Sequence, residues 1–251
     1  MSTFGKYGLA YRDAAPLGRY RLHDHFTQIP QLNANVDNPY AHRYFELQGT
    51  NAANSNITLH TGCGLRVRTA GAANDQAVIT VHKDAGQSAW DGTRWQVSKE
   101  IAFGCVFKTD SVDNLRLNVG FKAREAEISG GGGDTSELFT EHSNHKAILY
   151  YDSGTDNGRF QFVSTVDDGG GVDTVADVPL MKAADSTTYT IGIVITPDLE
   201  PVYTIMDENQ SITYKGPVID AGNTQPYFGI EARDAAVKTA YLREMWISRK
   251  Y

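Results

Sequence analysis

Tyr189-Thr190-Ile191-Gly192-Ile193-Val194-Ile195 is followed by Val202-Tyr203-Thr204-Ile205-Met206, Ser211-Ile212-Thr213-Tyr214, Tyr227-Phe228-Gly229-Ile230-Glu231 and Ala240-Tyr241-Leu242-Arg243-Glu244-Met245-Trp246-Ile247, with Gln161-Phe162-Val163-Ser164-Thr165 ahead of them. Each run is short and rich in β-branched and aromatic residues, and clusters of Gly, Asp, Asn and Pro separate one from the next. The clusters set turns and the runs suit a pleated, half-buried surface, so the pattern predicts an all-β sandwich. Sandwiches serve as binding and structural scaffolds as often as enzymes, and function has to be argued from a site.

Upstream the same pattern continues as far as Asn56-Ile57-Thr58-Leu59-His60. Leu65 to Thr69 alternates apolar with polar, and Asn74-Asp75 is read as the turn of a hairpin into Ala77-Val78-Ile79-Thr80-Val81. Further strands are expected at Trp95-Gln96-Val97, Ile101 to Phe107, Leu115 to Phe121 and Ala147 to Tyr151. The turn Asp152 to Gly158 predicts a hairpin into Arg159-Phe160-Gln161-Phe162. Gly130 to Gly133 forms a flexible loop, and Asp134 with Glu137 is a capping-box pattern that predicts one short helix to about His142. Val78, Ile101, Phe103, Val119, Phe121, Phe162, Ile191, Ile193, Ile205, Phe228 and Leu242 are the expected core.

Residues 1–55 read differently. Tyr7, Tyr11, Tyr20, Phe26, Tyr40, Tyr44 and Phe45 are scattered among Pro16, Pro30, Pro39 and several Asn without sustained alternation. The expectation is an extended N-terminal arm over 1–55 and a sandwich domain over 56–251, the arm laying its aromatics on its own sandwich or on a neighbouring subunit.

The chain has 251 residues and a formal net charge of -7, so nucleic acid is not the expected partner. Residues 1–23 nevertheless carry Lys6, Arg12, Arg19 and Arg21 against Asp13 alone. Tyrosine and arginine are enriched at protein interfaces, which makes Tyr7, Tyr11, Arg12, Arg19, Tyr20 and Arg21 the candidate subunit-interface residues. No apolar leader follows Met1 and no run is long enough to span a membrane, so no membrane partner is expected. Cys63 and Cys105 each lie in a β-like run and are expected as reduced thiols.

Candidate chemistry is sparse. Asp152, Asp156 and Asn157 could offer oxygens to calcium, as could the Asp167 to Asp173 loop, but both compositions are also what turns require. His23-Asp24-His25 puts two imidazoles on one side of an extended chain, and zinc would need a further ligand from His42, His60 or a distant carboxylate. His142 and His145 form a weaker pair. Glu125 and Glu127 are the one alternating carboxylate pair, and no nucleophile motif or phosphate-cradling loop occurs. Trp246 is expected in the core, whereas Trp90 sits in a turn and is the candidate for glycan stacking. No catalytic residue, metal or cofactor is assigned on this basis.

The runs from Ile148-Leu149-Tyr150-Tyr151-Asp152 through Tyr189 to Ile193, Val202 to Ile205, Pro226 to Ala232 and Ala240 to Arg249 resemble the closing strands of concanavalin A-like jelly rolls in tailed-bacteriophage structural proteins. The resemblance covers roughly residues 56–251. It implies a two-sheet antiparallel jelly roll acting without catalysis as a capsid decoration or minor capsid protein. Such a protein would be made in the host cytoplasm, reside in the virion and assemble as a homo-oligomer with other virion proteins, whether capsid or tail subunits. The alternatives are a carbohydrate-binding module or adhesin that meets a surface glycan, and, beyond that, a polysaccharide lyase or hydrolase.

Overall fold

The computed structural model of the protein describes residues 19–26, 29, 31–32, 45–62, 64–81, 95–96, 100–123, 145–154, 158–165, 173–219 and 223–250. They form seventeen strands: β1 Arg19–Asp24, β2 Gln31–Leu32, β3 Phe45–Gln48, β4 Ile57–His60, β5 Gly64–Arg68, β6 Gln76–Val81, β7 Trp95–Gln96, β8 Ile101–Thr109, β9 Leu115–Ala123, β10 His145–Asp152, β11 Arg159–Thr165, β12 Asp173–Lys182, β13 Thr188–Ile195, β14 Pro201–Met206, β15 Ser211–Lys215, β16 Asn223–Ala232 and β17 Thr239–Lys250. No α-helix occurs among the described residues. The helix expected over 134–142 lies outside them.

The strands make two sheets. An eight-stranded sheet runs β15-β14-β13-β8-β17-β5-β4, with β1 also on β17; a nine-stranded sheet runs β12-β11-β10-β9-β16-β6-β3-β2, with β7 also on β16. All pairings are antiparallel except β2 with β3. Phe103, Phe107, Ile191, Ile193, Tyr203 and Leu242 on the first sheet pack against Phe121, Leu149, Phe160, Phe162 and Phe228 on the second in one continuous core. Phe103 meets Phe121 edge-on at 5.9 Å between ring centroids, and Phe162 stacks on Tyr203 at 4.8 Å. Burying each such ring contributes about 1.5–3 kcal/mol. Tyr203 also stitches the sheets together: its hydroxyl donates to the Val163 carbonyl at 2.7 Å and lies 2.6 Å from Ser164 Oγ.

All eleven expected core residues are buried. Val78, however, belongs to a second cluster with Ile148, Tyr150, Val163 and Tyr227, on the outer face of the nine-stranded sheet. Alternation identifies a residue's face, and it leaves open whether the outer face is wet.

Two expectations are corrected. Residues 64–81 do not form a hairpin, because β5 pairs with β4 and β17 in one sheet while β6 pairs with β3 and β16 in the other. Asp75 holds the crossing, accepting from the Ala72 N–H at 2.6 Å and the Asn51 amide at 2.5 Å. The boundary at 55/56 also falls inside the sandwich: β1 lies antiparallel to β17, Arg19 opposite Lys250 and Asp24 opposite Met245, and β3 pairs with β6. A strand without sustained alternation can still join a sheet when a long neighbour such as β17 offers its backbone. β10 and β11 pair antiparallel, the pairing that the hairpin expected at Asp152 to Gly158 calls for, with residues 155–157 of its turn outside the described residues.

Candidate functional site

The outer faces of the two sheets differ. On the nine-stranded sheet Thr80, Asn118, Ile148, Tyr150, Val163 and Tyr227 are all buried. The Tyr227 hydroxyl donates to Asn118 Oδ1 at 2.5 Å and Thr80 Oγ1 donates to the Pro226 carbonyl at 3.0 Å.

At one end of this face lies an ionic network. Arg116 on β9 donates through Nε to Asp152 Oδ2 at 2.9 Å and through an Nη to Glu231 Oε1 at 2.6 Å. Gln76 Nε2 donates to the other Glu231 oxygen at 2.7 Å. Arg233 completes the set on Asp152, whose Oδ1 also accepts from the Gly154 N–H at 2.9 Å. Burial disfavours the Asp152 charge, but the Gly154 N–H and the two guanidiniums outweigh it and hold the carboxyl below its usual range. Arg116 is likewise desolvated, yet Asp152 and Glu231 push its pKa up. Charges matched in this way favour a structural role. Asp152, offered above as a calcium ligand, instead sits between two guanidiniums, a setting hostile to a cation; Asp156 and Asn157 lie outside the described residues.

The eight-stranded sheet is more open. Thr188, Thr190, Gly192, Val202, Thr204 and Met206 on β13 and β14 are all half-exposed. Strand register aligns Thr188, Lys108, Tyr241, Arg66 and Thr58 in one row across β13, β8, β17, β5 and β4. Tyr241 is therefore flanked by two cations. Its ring meets exposed His60 edge-on at 5.2 Å, its hydroxyl donates to Asp110 Oδ2 at 3.3 Å, and Arg66 Nε donates to Thr58 Oγ1 at 3.0 Å.

Two rows further along the same face, His23, His25 and Glu244 meet. His23 Nε2 lies 3.2 Å and His25 Nδ1 lies 3.4 Å from the same Glu244 oxygen. A register shift in β17 between Leu242 and Glu244 makes Arg243 an extra residue. That bulge puts Glu244 beyond it on the outer side while Leu242 and Met245 stay in the core. Past Glu244 along β17, Trp246 packs with Ala102 and Val194, so it is buried as expected but outside the inter-sheet core.

Other sequence candidates are dispersed. Arg19, Tyr20 and Arg21 lie in β1, where their backbones pair with Lys250, Arg249 and Ser248. Tyr7, Tyr11, Arg12, His42, Cys63, Trp90, Glu125, Glu127, His142 and the Asp167 to Val172 loop lie outside the described residues. Lys108, Tyr241 and Arg66 were not singled out in the sequence, since only the strand order makes them neighbours.

No family model and no curated protein matches the sequence. Solved structures match in fold. A protein of unknown function from Shewanella oneidensis MR-1 is 12% identical with a TM-score of 0.59, covering 100% of this chain and 95% of that one. Peanut lectin is 10% identical with a TM-score of 0.57, covering 92% of this chain and 97% of its own. An alginate lyase of polysaccharide lyase family 7 is 12% identical with a TM-score of 0.54, covering 83% and 95%. The fold is thus a two-sheet jelly roll of the concanavalin A-like kind, shared by lectins and polysaccharide lyases.

Proposed function

We propose that the protein is a carbohydrate-binding jelly roll without catalytic activity, taking its glycan on the outer face of the eight-stranded sheet. The observation that carries this is the Tyr241 row: a half-exposed aromatic ring between Lys108 and Arg66, with His60 at its edge. An aromatic face stacks on the apolar face of a sugar ring, and the two cations favour a carboxylate- or sulfate-bearing saccharide. The lectins among the structural neighbours support this reading.

The enzyme reading finds less support. The ionic network of Arg116, Asp152, Glu231 and Arg233 has each carboxylate matched by a guanidinium, and Asp152 is held ionised, so it is a poor proton carrier at neutral pH. A place in a virion rests on the resemblance of the closing strands alone, and of the expected interface residues Arg19, Tyr20 and Arg21 lie in β1, one edge of which pairs with β17.

The test is calorimetric titration with neutral and acidic oligosaccharides. Saturable binding of an acidic saccharide, lost in Tyr241→Ala and kept in Tyr241→Phe, is the expected result. Absence of binding across the panel, or binding indifferent to Tyr241→Ala, would overturn the proposal, and release of unsaturated or shortened products would replace it with the enzyme reading.

A further inference from the structure

We infer that His23, His25 and Glu244 form a zinc site that fastens β1 to β17. The three side chains offer two imidazole nitrogens and one carboxylate oxygen, all within 4.8 Å of one another. Ligands about 2.0–2.1 Å from a tetrahedral zinc lie roughly 3.3 Å apart. The two histidine-to-glutamate separations, 3.2 and 3.4 Å, match that edge.

The local sequence builds this arrangement. His23 and His25, two apart on an extended chain, share a face. His23 stands opposite Trp246, and β1 ends one residue later with Asp24 opposite Met245. Past that end the chain is pinned, because Asp24 Oδ1 accepts the Phe26 N–H at 2.5 Å and the Phe26 ring packs on Phe45 at 5.5 Å between centroids. Phe26 adopts a φ of 53°, turning the chain away directly after His25. The β17 bulge supplies Glu244 from the opposite strand.

Burial and donor type select the ion. The Glu244 side chain is 5% exposed and His23 20%, whereas His25 is 60% exposed. A buried carboxylate is stabilised by a cation beside it, and the exposed side leaves room for water as a fourth ligand. Two imidazoles with one carboxylate suit zinc, while calcium and magnesium take oxygen donors. Binding would join a segment near the start of the chain to its last strand, so the metal would add to fold stability.

The test uses untagged full-length protein stripped with a chelator and titrated with Zn²⁺ at neutral pH, with Co²⁺ absorption reporting the coordination. One Zn²⁺ per chain is expected, with a higher melting temperature when zinc is present and no competition from Ca²⁺. His25→Ala and Glu244→Gln should each weaken binding by more than the roughly 10–100-fold that loss of an outer-shell partner costs. His60→Ala should bind as wild type does. His25 is exposed, so His25→Ala keeps the test valid even if Glu244→Gln fails to fold. Absence of saturable binding, equal competition by Ca²⁺, or unchanged affinity in His25→Ala would overturn the inference.

Discussion

Gly104 on β8 and Trp246 on β17 are direct cross-strand partners, and a Cβ on Gly104 would collide with Cζ2 and Cε2 of the indole. The glycine is the space into which the tryptophan packs. Overpacking of this kind costs about 1–3 kcal/mol. Gly104→Ala should therefore lower the midpoint of urea unfolding, and Gly192→Ala, whose Cβ would meet nothing within 4 Å, should cost less. Equal effects at the two positions would show that the indole moves aside freely.

Asp152→Asn removes the shared partner of Arg116 and Arg233. Breaking a buried pair costs about 3–5 kcal/mol, and the partly exposed guanidiniums place this one near the lower end. The folded-state pKa of Asp152 lies below its unfolded value of about 3.9, so its contribution is complete above that pH and is lost as pH falls through the folded value. Unfolding curves should thus separate wild type from Asp152→Asn at pH 6, with the gap narrowing as pH falls below about 3.9. A gap independent of pH would mean the loss is one of packing.

Cys105 is fully buried, and its desolvation, with Glu244 adding to it, pushes the thiol pKa well above the ordinary value. Reaction with a thiol reagent should be slow in the native protein and rapid after denaturation. Denaturation without reductant should release two free thiols, Cys63 being the second; finding none would contradict the expectation of reduced cysteines.

Removing residues 1–24 deletes β1 and strips hydrogen-bonding partners from Met245 to Lys250 of β17. The truncated chain should melt lower and aggregate more readily, since it exposes a new sheet edge. An unchanged melting temperature would show that β1 adds nothing to the sandwich.

The order of residues determined the strands themselves. Apolar runs broken by Gly, Asp, Asn and Pro located β8 to β11 and β13 to β17, and alternation within them selected side chains that are buried. It also made the β10–β11 hairpin legible, because that pairing is local and its turn chemistry lies in the same few residues. Which strands become neighbours was decided by tertiary structure. Ala77-Val78-Ile79 followed a turn signal as a hairpin strand would, yet β6 crosses to the other sheet, where Val78 joins Ile148 and Tyr227. The candidate sites divide along the same line. His23 and His25 were visible as a pair because residues two apart on an extended chain share a face, whereas Glu244 lies 221 positions from His23. Only the β1–β17 pairing and the bulge at Arg243 bring it within reach. The Tyr241 row is likewise assembled from five strands, and such long-range neighbours follow from how two sheets bury their apolar faces together, which no local pattern encodes.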